Sequence, residues 1–192
     1  MMEDIRAFIA IELPEAIKRK LSEIQEELKR SRIRAQWVAP DSIHLTLKFL
    51  GGISPDTVAG VTRAMEDAAL GTAPFRLSVS GLGVFPDARR VRVVWAGMAG
   101  GIDLLTQLQK DLDSGLTKLG FAAESRPFTA HLTLARIREE ASPSERAALG
   151  QLVESSQFAG GEFPVDSMSL MRSQLRREGP IYTRIVAVPL LE

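Results

Sequence analysis

His44-Leu45-Thr46-Leu47 and His131-Leu132-Thr133-Leu134 are the same four residues, and they contain the only two histidines of the 192-residue chain. If each matching position has a chance of about one in ten to twenty, a given histidine is followed by Leu-Thr-Leu on the order of once in a few thousand. The recurrence of the string 131 − 44 = 87 residues later is therefore no accident. It indicates an internal duplication.

Two other sequence markers repeat with the same period. The helical stripe that begins at Ile17 is matched by one that contains Leu105, 105 − 17 = 88 residues later, and the Ser-Pro pair at Ser54 recurs at Ser142, again 142 − 54 = 88 residues later. The markers predict one bilobal α+β domain over residues 1–192, built from a duplication with a period of about 87 residues. We expect two pseudo-symmetric antiparallel sheets with outer helices and an active-site cleft between the lobes.

The spacing of apolar residues predicts four helices, at about 14–30, 54–68, 102–119 and 142–153. The second is predicted to begin with Ser54 as N-cap and Pro55 at the first helical position. The third is predicted to end at a left-handed Gly120, and the fourth to begin with a capping box of Ser142 and Glu145. Runs of β-branched and aromatic residues predict seven strands, at 6–13, 43–49, 75–80, 91–96, 130–137, 165–171 and 181–188.

The composition is that of a soluble globular protein. Hydrophobic residues make up 45% of the chain, 24 Lys plus Arg balance 24 Asp plus Glu, and there is no cysteine. The lack of cysteine excludes disulfide scaffolds and thiolate metal sites. The balanced charge argues against a long nucleic-acid footprint, which needs many basic residues to neutralise phosphates, but it is compatible with a nucleotide or a short oligonucleotide.

The amino-terminal segment does not have the pattern of a signal peptide. Glu3 and Asp4 stand where a signal peptide carries basic residues, and the apolar run from Ala7 to Ile11 is short. No run of 18 apolar residues occurs elsewhere in the chain. We therefore expect a cytoplasmic protein without a membrane partner, and we expect it to be a monomer.

Strand geometry explains why histidine and threonine alternate with leucine. Successive side chains of a strand point to opposite faces, so His44 and Thr46 share one face while the two leucines share the other, and the second copy behaves in the same way. The leucines are predicted to pack inward. If the repeat is a true two-fold, the outward faces meet across the cleft and bring two imidazoles and two hydroxyls into one small volume.

Two imidazoles and two hydroxyls suit acid-base chemistry at phosphorus. Imidazole has an ordinary pKa of about 6.5, so one ring can take a proton from the attacking oxygen while the other gives a proton to the leaving oxygen. Each transfer contributes about 10²- to 10⁴-fold to the rate. Threonine hydroxyls can hold the nonbridging oxygens. From the residues alone, the roles of His44 and His131 are interchangeable.

Two plainer interpretations stay open. Each histidine can be an ordinary half-buried strand residue, although two occurrences in matching strings weigh against this. A metal site is the other, but neither string is accompanied by a Cys, an HExxH motif or a set of carboxylates that would complete a coordination shell. We predict no metal and no cofactor.

The strings HLTLKFLG at 44–51 and RPFTAHLTLAR at 126–136 resemble the two-histidine phosphoesterase superfamily. They are most similar to its RNA 2′,3′-cyclic phosphodiesterase family of LigT-like proteins, whose bacterial and archaeal members were first described as 2′-5′ RNA ligases. The resemblance extends from RAFIAIELP at Arg6 to IYT at Ile181. It implies metal-independent hydrolysis of the terminal 2′,3′-cyclic phosphate of RNA 3′ ends or tRNA halves to a 2′-phosphomonoester, and it also implies that 2′-5′ ligation can occur.

The resemblance further implies a role for individual residues. His44 would be the proton donor, His131 the proton acceptor, and Thr46 and Thr133 would contact the phosphate. The remaining candidates match family positions that can contact substrate. They are Arg136, Phe8, Phe49, Arg126 and Tyr182.

Two other functions are compatible with the same residues. A related enzyme could act on a small nucleotide, such as ADP-ribose cyclic phosphate or a 2′-5′ oligoadenylate. A non-catalytic module could instead use the two motifs to bind an RNA end without turnover. Substrate comparison separates the first from the RNA enzyme, and binding that survives loss of either histidine would mark the second.

Overall fold

A computed structural model describes residues 4–192, so Glu3 of the predicted amino-terminal pattern lies outside the described residues. The elements in chain order are β1 (Ile5–Ile11), α1 (Glu15–Lys29), β2 (Ala35–Trp37), a 3-10 turn (Pro40–Ser42), β3 (Leu45–Ile53), α2 (Thr57–Ala69), β4 (Phe75–Phe85), β5 (Val93–Gly100), α3 (Ile102–Lys118), β6 (His131–Ile137), α4 (Pro143–Ser155), β7 (Ala159–Val165), β8 (Ser167–Arg176) and β9 (Gly179–Pro189).

The strands form two sheets, as the α+β prediction requires. The first sheet has the order β3-β1-β8-β9 and the second has the order β2-β6-β5-β4-β7. Every neighbouring pair of these strands is antiparallel. The predicted fold class of two antiparallel sheets with helices is therefore confirmed.

Each sheet takes strands from both halves of the chain. In the first sheet, β1 and β3 from the first half are completed by β8 and β9 from the second. In the second sheet, β2 and β4 come from the first half, β6 and β7 from the second, and β5 spans the midpoint of the chain. Neither half of the chain therefore holds a complete sheet of its own.

The core lies between the sheets and the helices that cover them. The four motif leucines, Leu45, Leu47, Leu132 and Leu134, are all buried, so their predicted inward orientation is confirmed. Burying one leucine side chain stabilises the fold by about 1.5–3 kcal/mol, so the motif strands are anchored through the face opposite the histidines.

The helices bury one apolar stripe each and expose the opposite face. The stripe of α1 consists of Ile17, Leu21, Ile24 and Leu28, as predicted from their spacing. Helices α2 and α3 contact each other. Within residues 4–192, none of the helices combines the length and the apolar composition that crossing a bilayer requires.

The helix ends follow the sequence in two cases and depart from it in one. Gly120 has φ +92°, and its N–H and that of Phe121 donate to the carbonyls of Thr117 and Leu116, which is the hydrogen-bond pattern of a Schellman cap. The capping box of Ser142 and Glu145 is also present. The prediction that Ser54 caps α2 is wrong.

Asp56, not Ser54, precedes the first residue of α2. The N–H of Thr57 donates to the carbonyl of Ser54, and that of Val58 donates to the carbonyl of Pro55. These are turns of the tighter i to i+3 type, so the chain turns once before the α-helix begins.

Two strands, β2 and β7, are absent from the sequence prediction. The predicted strand at 165–171 corresponds to β8, which begins at Ser167, whereas Val165 is the last residue of β7. Strand β7 contains Gly160, Gly161 and Pro164, which obscure its strand pattern. It tolerates the proline because it is an edge strand, where one side makes no ladder hydrogen bonds. The short strand β2 is too brief to produce a pattern of its own.

Candidate active site

Both histidines are fixed to the backbone in the same way. His44 lies between the 3-10 turn and β3, and its Nδ1 is 2.8 Å from the carbonyl oxygen of Ser42. His131 begins β6, and its Nδ1 is 2.8 Å from the carbonyl oxygen of Thr129. A carbonyl only accepts hydrogen bonds, so Nδ1 carries the proton in each ring. In each neutral ring, Nε2 is therefore the nitrogen that can accept a proton.

The exposed face of each motif matches its prediction. His44, Thr46, His131 and Thr133 are all half-buried, whereas the leucines between them are buried. Each strand thus presents one imidazole and one hydroxyl on the face that is not committed to the core.

The two motif strands meet although they belong to different sheets. Strands β3 and β6 contact each other. The carbonyl of Leu134 accepts hydrogen bonds from the N–H of Val38 at 2.9 Å and from Nε2 of Gln25 at 3.0 Å. Because Gln25 is buried on α1, this amide ties the first helix to the second motif. Gln25 is not among the residues predicted from the sequence, since a lone glutamine in an apolar stripe gives no signal.

Aromatic rings surround His44. The ring of Phe8 stacks on the imidazole with centroids 4.5 Å apart and planes inclined by 24°, and the ring of Tyr182 meets the imidazole edge-on at 5.0 Å. Phe8 is only 3% exposed. One face of the Phe8 ring is covered by His44 and little of the rest reaches solvent, so this candidate residue offers little surface for a substrate to contact. Phe8 instead orients the imidazole.

A second aromatic pair surrounds His131. Phe85 and Trp95 lie 5.3 Å and 6.5 Å from the imidazole by ring centroids. Trp95 lies over Gly83, where a Cβ would overlap the indole ring, so the glycine leaves the room that this large side chain occupies. Neither aromatic residue is among those predicted from the sequence. The duplication was the available signal for Trp95, because it lies 95 − 8 = 87 residues after Phe8.

The surroundings of His44 change its proton affinity. Burial is the largest influence and lowers the pKa of His44 below its ordinary value, while the carbonyl of Ser42 and the carboxylate of Glu12 act in the opposite direction. Burial also raises the pKa of Tyr182, against the positive charges of Arg136 and Arg6. Tyr182 is consequently a neutral phenol that can donate a hydrogen bond at physiological pH.

The structure brings some of the remaining candidates to this site. Tyr182 contacts His44 directly. Phe49 is 69% exposed and lies 6.2 Å from Phe8 by ring centroids. Arg136 is exposed on β6, and its charge acts on Tyr182 of the other sheet. Arg126 is exposed on the segment between α3 and β6, and no contact among the described residues connects it to either histidine.

The sequence of the chain matches a known family over most of its length. The model of the family described as LigT like Phosphoesterase matches twice, at residues 11–95 and 98–182. This chain belongs to the LigT-like phosphoesterases. The two matches are 98 − 11 = 87 residues apart, the same spacing as the two histidine strings.

Named relatives of this LigT-like phosphoesterase come from archaea and bacteria. A protein of Methanothermobacter thermautotrophicus named RNA 2′,3′-cyclic phosphodiesterase is 36% identical over 180 residues, which cover 93% of this chain and 95% of the relative. A protein of Aquifex aeolicus with the same name is 33% identical, with 95% of each chain covered.

Solved structures share the fold of this LigT-like phosphoesterase. A protein of Thermus thermophilus superposes with a TM-score of 0.80 at 30% identity, covering 97% of this chain and 98% of its own. LigT of E. coli, solved in complex with 3′-AMP, superposes with a TM-score of 0.78 at 25% identity, covering 99% of this chain and all (100%) of its own.

Proposed function

We propose that this LigT-like phosphoesterase hydrolyses the terminal 2′,3′-cyclic phosphate of RNA to a 2′-phosphomonoester, with its two histidines as general acid and general base. The observation that carries the proposal is the matched environment of His44 and His131. Each ring is held at Nδ1 by a carbonyl two residues earlier and is packed beside aromatic rings, which leaves Nε2 for proton transfer. The names of the relatives, RNA 2′,3′-cyclic phosphodiesterase, supply the substrate.

The reaction is an in-line displacement at phosphorus. His131 accepts a proton from water through Nε2, and the water oxygen forms a new bond to phosphorus on the side opposite O3′. The bond between phosphorus and O3′ breaks, and His44 donates a proton to O3′ through Nε2. The products are a 2′-phosphate and a free 3′-hydroxyl. With the 5′-hydroxyl of a second RNA in place of water, the same steps form a 2′-5′ linkage.

Thr46 and Thr133 hold the nonbridging phosphate oxygens in this proposal. Each lies two residues after its histidine on the same face of the strand, so both hydroxyls point toward the phosphate that the imidazoles flank. Hydrogen bonds from these hydroxyls stabilise the charge that builds up on the phosphoryl oxygens during displacement.

The residues around Tyr182 favour the end of an RNA over a small nucleotide. Phe49 offers a largely exposed ring on the same face of the first sheet as Phe8, and base stacking on such rings tolerates any base. Arg136 and Arg6 bring positive charge to Tyr182 from two different strands. We assign to Phe49 the stacking of the base next to the cyclic phosphate, and to Arg136 and Arg6 the binding of the RNA backbone. Arg126, which precedes the second motif, is assigned to the same RNA-binding surface.

Replacing Phe49 with alanine tests this substrate assignment. Base stacking is worth about 1–3 kcal/mol, so KM for an RNA that ends in a cyclic phosphate is expected to rise by about tenfold while kcat changes little. Steady-state kinetics with an oligonucleotide and with a 2′,3′-cyclic mononucleotide measure the difference. Leu104→Ala, which removes an exposed apolar side chain from α3, is the matched control. An unchanged KM for Phe49→Ala would remove this residue from the substrate site.

The cellular setting follows from the same proposal. We propose that the protein acts on RNA ends in the cytoplasm, the location expected from the sequence. The proposed reaction needs one chain, since both histidine strings lie in it, so a monomer is sufficient. Residues 4–192 contain no group of three or more His, Cys, Asp or Glu arranged to hold a metal ion.

Product identification tests the reaction. Incubation of the purified protein with an RNA ending in a 2′,3′-cyclic phosphate is expected to yield only the 2′-phosphate, at a rate that EDTA does not change. A 3′-phosphate product would reverse the assignment of the leaving oxygen, and inhibition by EDTA would contradict a metal-independent mechanism. Turnover of small cyclic nucleotides but not of RNA would identify the small nucleotides as the substrates. Binding of the RNA end without turnover would indicate a binding module.

A further inference from the structure

The two histidines differ in what lies across from them in the neighbouring strand. Ile11 of β1 pairs with Leu45 of β3, and the two strands are antiparallel. Glu12, the residue after Ile11, and His44, the residue before Leu45, therefore come opposite each other. Residues opposite each other in an antiparallel pair present their side chains on the same face. The carboxylate of Glu12 therefore lies on the face of the first sheet that carries the imidazole of His44.

No side chain occupies the corresponding place beside His131. In the second sheet, Gly97 of β5 is the partner of His131. A Cβ at Gly97 would come within 2.6 Å of the carbonyl oxygen of Ser80, so the fold excludes any side chain at this position. The duplicated motif thus has a carboxylate opposite one histidine and a bare glycine opposite the other.

Glu12 is held in place by two other strands of the first sheet. Its Oε2 accepts hydrogen bonds from Oγ of Ser169 at 2.6 Å and from Nε of Arg184 at 2.8 Å, and its Oε1 accepts one from Nη2 of Arg184 at 3.3 Å. Burial raises the pKa of Glu12, but these hydrogen bonds and the charges of Arg184 and Lys18 outweigh burial and lower it overall. The carboxylate is therefore ionised throughout the range in which a histidine titrates.

The charged and titratable groups near His44 come from several strands. Glu12 of the chain after β1 supplies the negative charge, and Arg184 of β9 is bonded to that carboxylate. Tyr182 of β9 touches the imidazole and is neutral, and Arg136 of β6 and Arg6 of β1 act on Tyr182. The carboxylate of Glu12 raises the pKa of His44, against the larger lowering effect of burial.

We propose that Glu12 is a positioning residue that favours the protonated form of His44, so that His44 is the general acid and His131 the general base. This inference rests on the proposed function for its catalytic meaning. A buried imidazole tends to lose its proton, and a general acid must hold one when the substrate binds. The fixed charge of Glu12 offsets this tendency at one histidine only, and it breaks the symmetry that the two identical strings share.

Titration of the two histidines by NMR tests the inference without any substrate. The protein has only two histidines, so their ring signals can be assigned with His44→Asn and His131→Asn. In Glu12→Gln, the midpoint of the His44 titration is expected to move to lower pH, and that of His131 is expected to stay where it is in the parent protein. In Glu12→Asp, which keeps the charge, the midpoint of the His44 titration is expected to return most of the way to its value in the parent protein.

Glu162→Gln is the matched control, because Glu162 also pairs with an arginine, Arg76, but lies on the edge strand β7 of the other sheet. It is expected to move neither titration. The inference would be overturned if the midpoint of the His44 titration did not change in Glu12→Gln, or if the midpoints of both histidines changed equally.

The pH dependence of kcat connects the charge to the reaction. A general acid must be protonated, so activity falls as pH rises through its pKa, and loss of Glu12 is expected to move this alkaline limb to lower pH. At pH values on that limb, Glu12→Gln is expected to lose about two- to fivefold in kcat, with the acid limb unchanged. Movement of the acid limb instead would make His44 the base. If Glu12→Gln moves the titration of His44 in a protein that has no phosphodiesterase activity, the proposed function fails while the charge effect stands.

Discussion

Replacing either His44 or His131 with alanine is expected to lower kcat on an RNA 2′,3′-cyclic phosphate by about 10²- to 10⁴-fold. Each variant loses one proton transfer, from the water or to O3′. The neighbouring Phe8, Phe85 and Trp95 have no group that exchanges a proton near neutral pH, and burial raises the pKa of the Tyr182 phenol, which makes it a poor proton donor there. The kcat of the double variant is expected to be only slightly lower than that of the less active single variant, since the two rings act in one step. Single-turnover kinetics at saturating enzyme measure the effect on the chemical step.

Asparagine substitutions separate proton transfer from packing. The side-chain amide of Asn can donate to the carbonyls of Ser42 and Thr129, as Nδ1 does now, but it cannot exchange a proton near neutral pH. We expect His44→Asn and His131→Asn to be as inactive as the alanine variants while they keep the thermal stability of the parent. Activity close to the parent level in either variant would contradict the acid-base mechanism.

The same variants distinguish an enzyme from a binding module. The proposed enzyme binds the RNA end through Phe49, the arginines and the threonines, so affinity is expected to change far less than kcat. Activity lost with affinity retained would reject a non-catalytic module as the function. If the parent protein does not hydrolyse the RNA and the variants bind the RNA end as tightly as the parent does, the binding module is supported instead.

Replacing Asp113 with alanine is expected to destabilise the protein by about 3 kcal/mol, at the lower end of the range for breaking a buried ion pair. Its partner Lys48 lies in β3 four residues after His44 and is only 5% exposed. Its Nζ donates to Oδ1 of Asp113 at 2.6 Å, to the carbonyl of Ala122 at 2.7 Å and to Oε1 of Glu124 at 3.3 Å. The variant leaves a buried ammonium with two of its three partners, which places the effect at the lower end of that range.

Chemical denaturation with urea measures this loss. Asp111→Ala is the matched control, because Asp111 lies on the same helix but is exposed and accepts a hydrogen bond from Gln107 on that helix. The double variant Lys48→Met with Asp113→Leu is expected to recover most of the stability, since it removes the buried charge together with its partner. A control variant as unstable as Asp113→Ala would show that the loss comes from helix propensity and not from Lys48.

The cluster around Lys48 also connects the two motifs. It ties β3, which carries the first motif, to α3 and to the segment that leads into the second, and the N–H of Glu124 adds a hydrogen bond to Oδ2 of Asp113 at 3.2 Å. Nothing in the sequence singles out Lys48, because a lysine in a strand is usually solvated. Its partners lie 65–76 residues away in the chain, so only the folded structure shows that it is buried and paired.

Local patterns predict the structure correctly where short-range physics decides it. The apolar stripe of α1, the left-handed Gly120 and the capping box of Ser142 depend on residues within one or two helical turns, and each is found as predicted. The start of α2 and the boundary between β7 and β8 were missed. The Ser-Pro pair at Ser54 predicts an earlier start for the helix, and the glycines of β7 obscure the strand pattern there.

The sequence by itself determined the fold class and the identity of the two histidine-threonine strings, because strand alternation and a repeated period are properties of the chain alone. The tertiary structure decided how strands from the two halves combine into each sheet, and it decided that Phe8 lies beneath His44 while Phe49 stays exposed. It also decided that Glu12 faces one histidine and Gly97 the other. These features depend on the register of pairing between distant strands, and irregularities in the pairing of β3 and of β6 shift that register by single residues. Two identical strings therefore acquire different neighbours, and with them different chemistry.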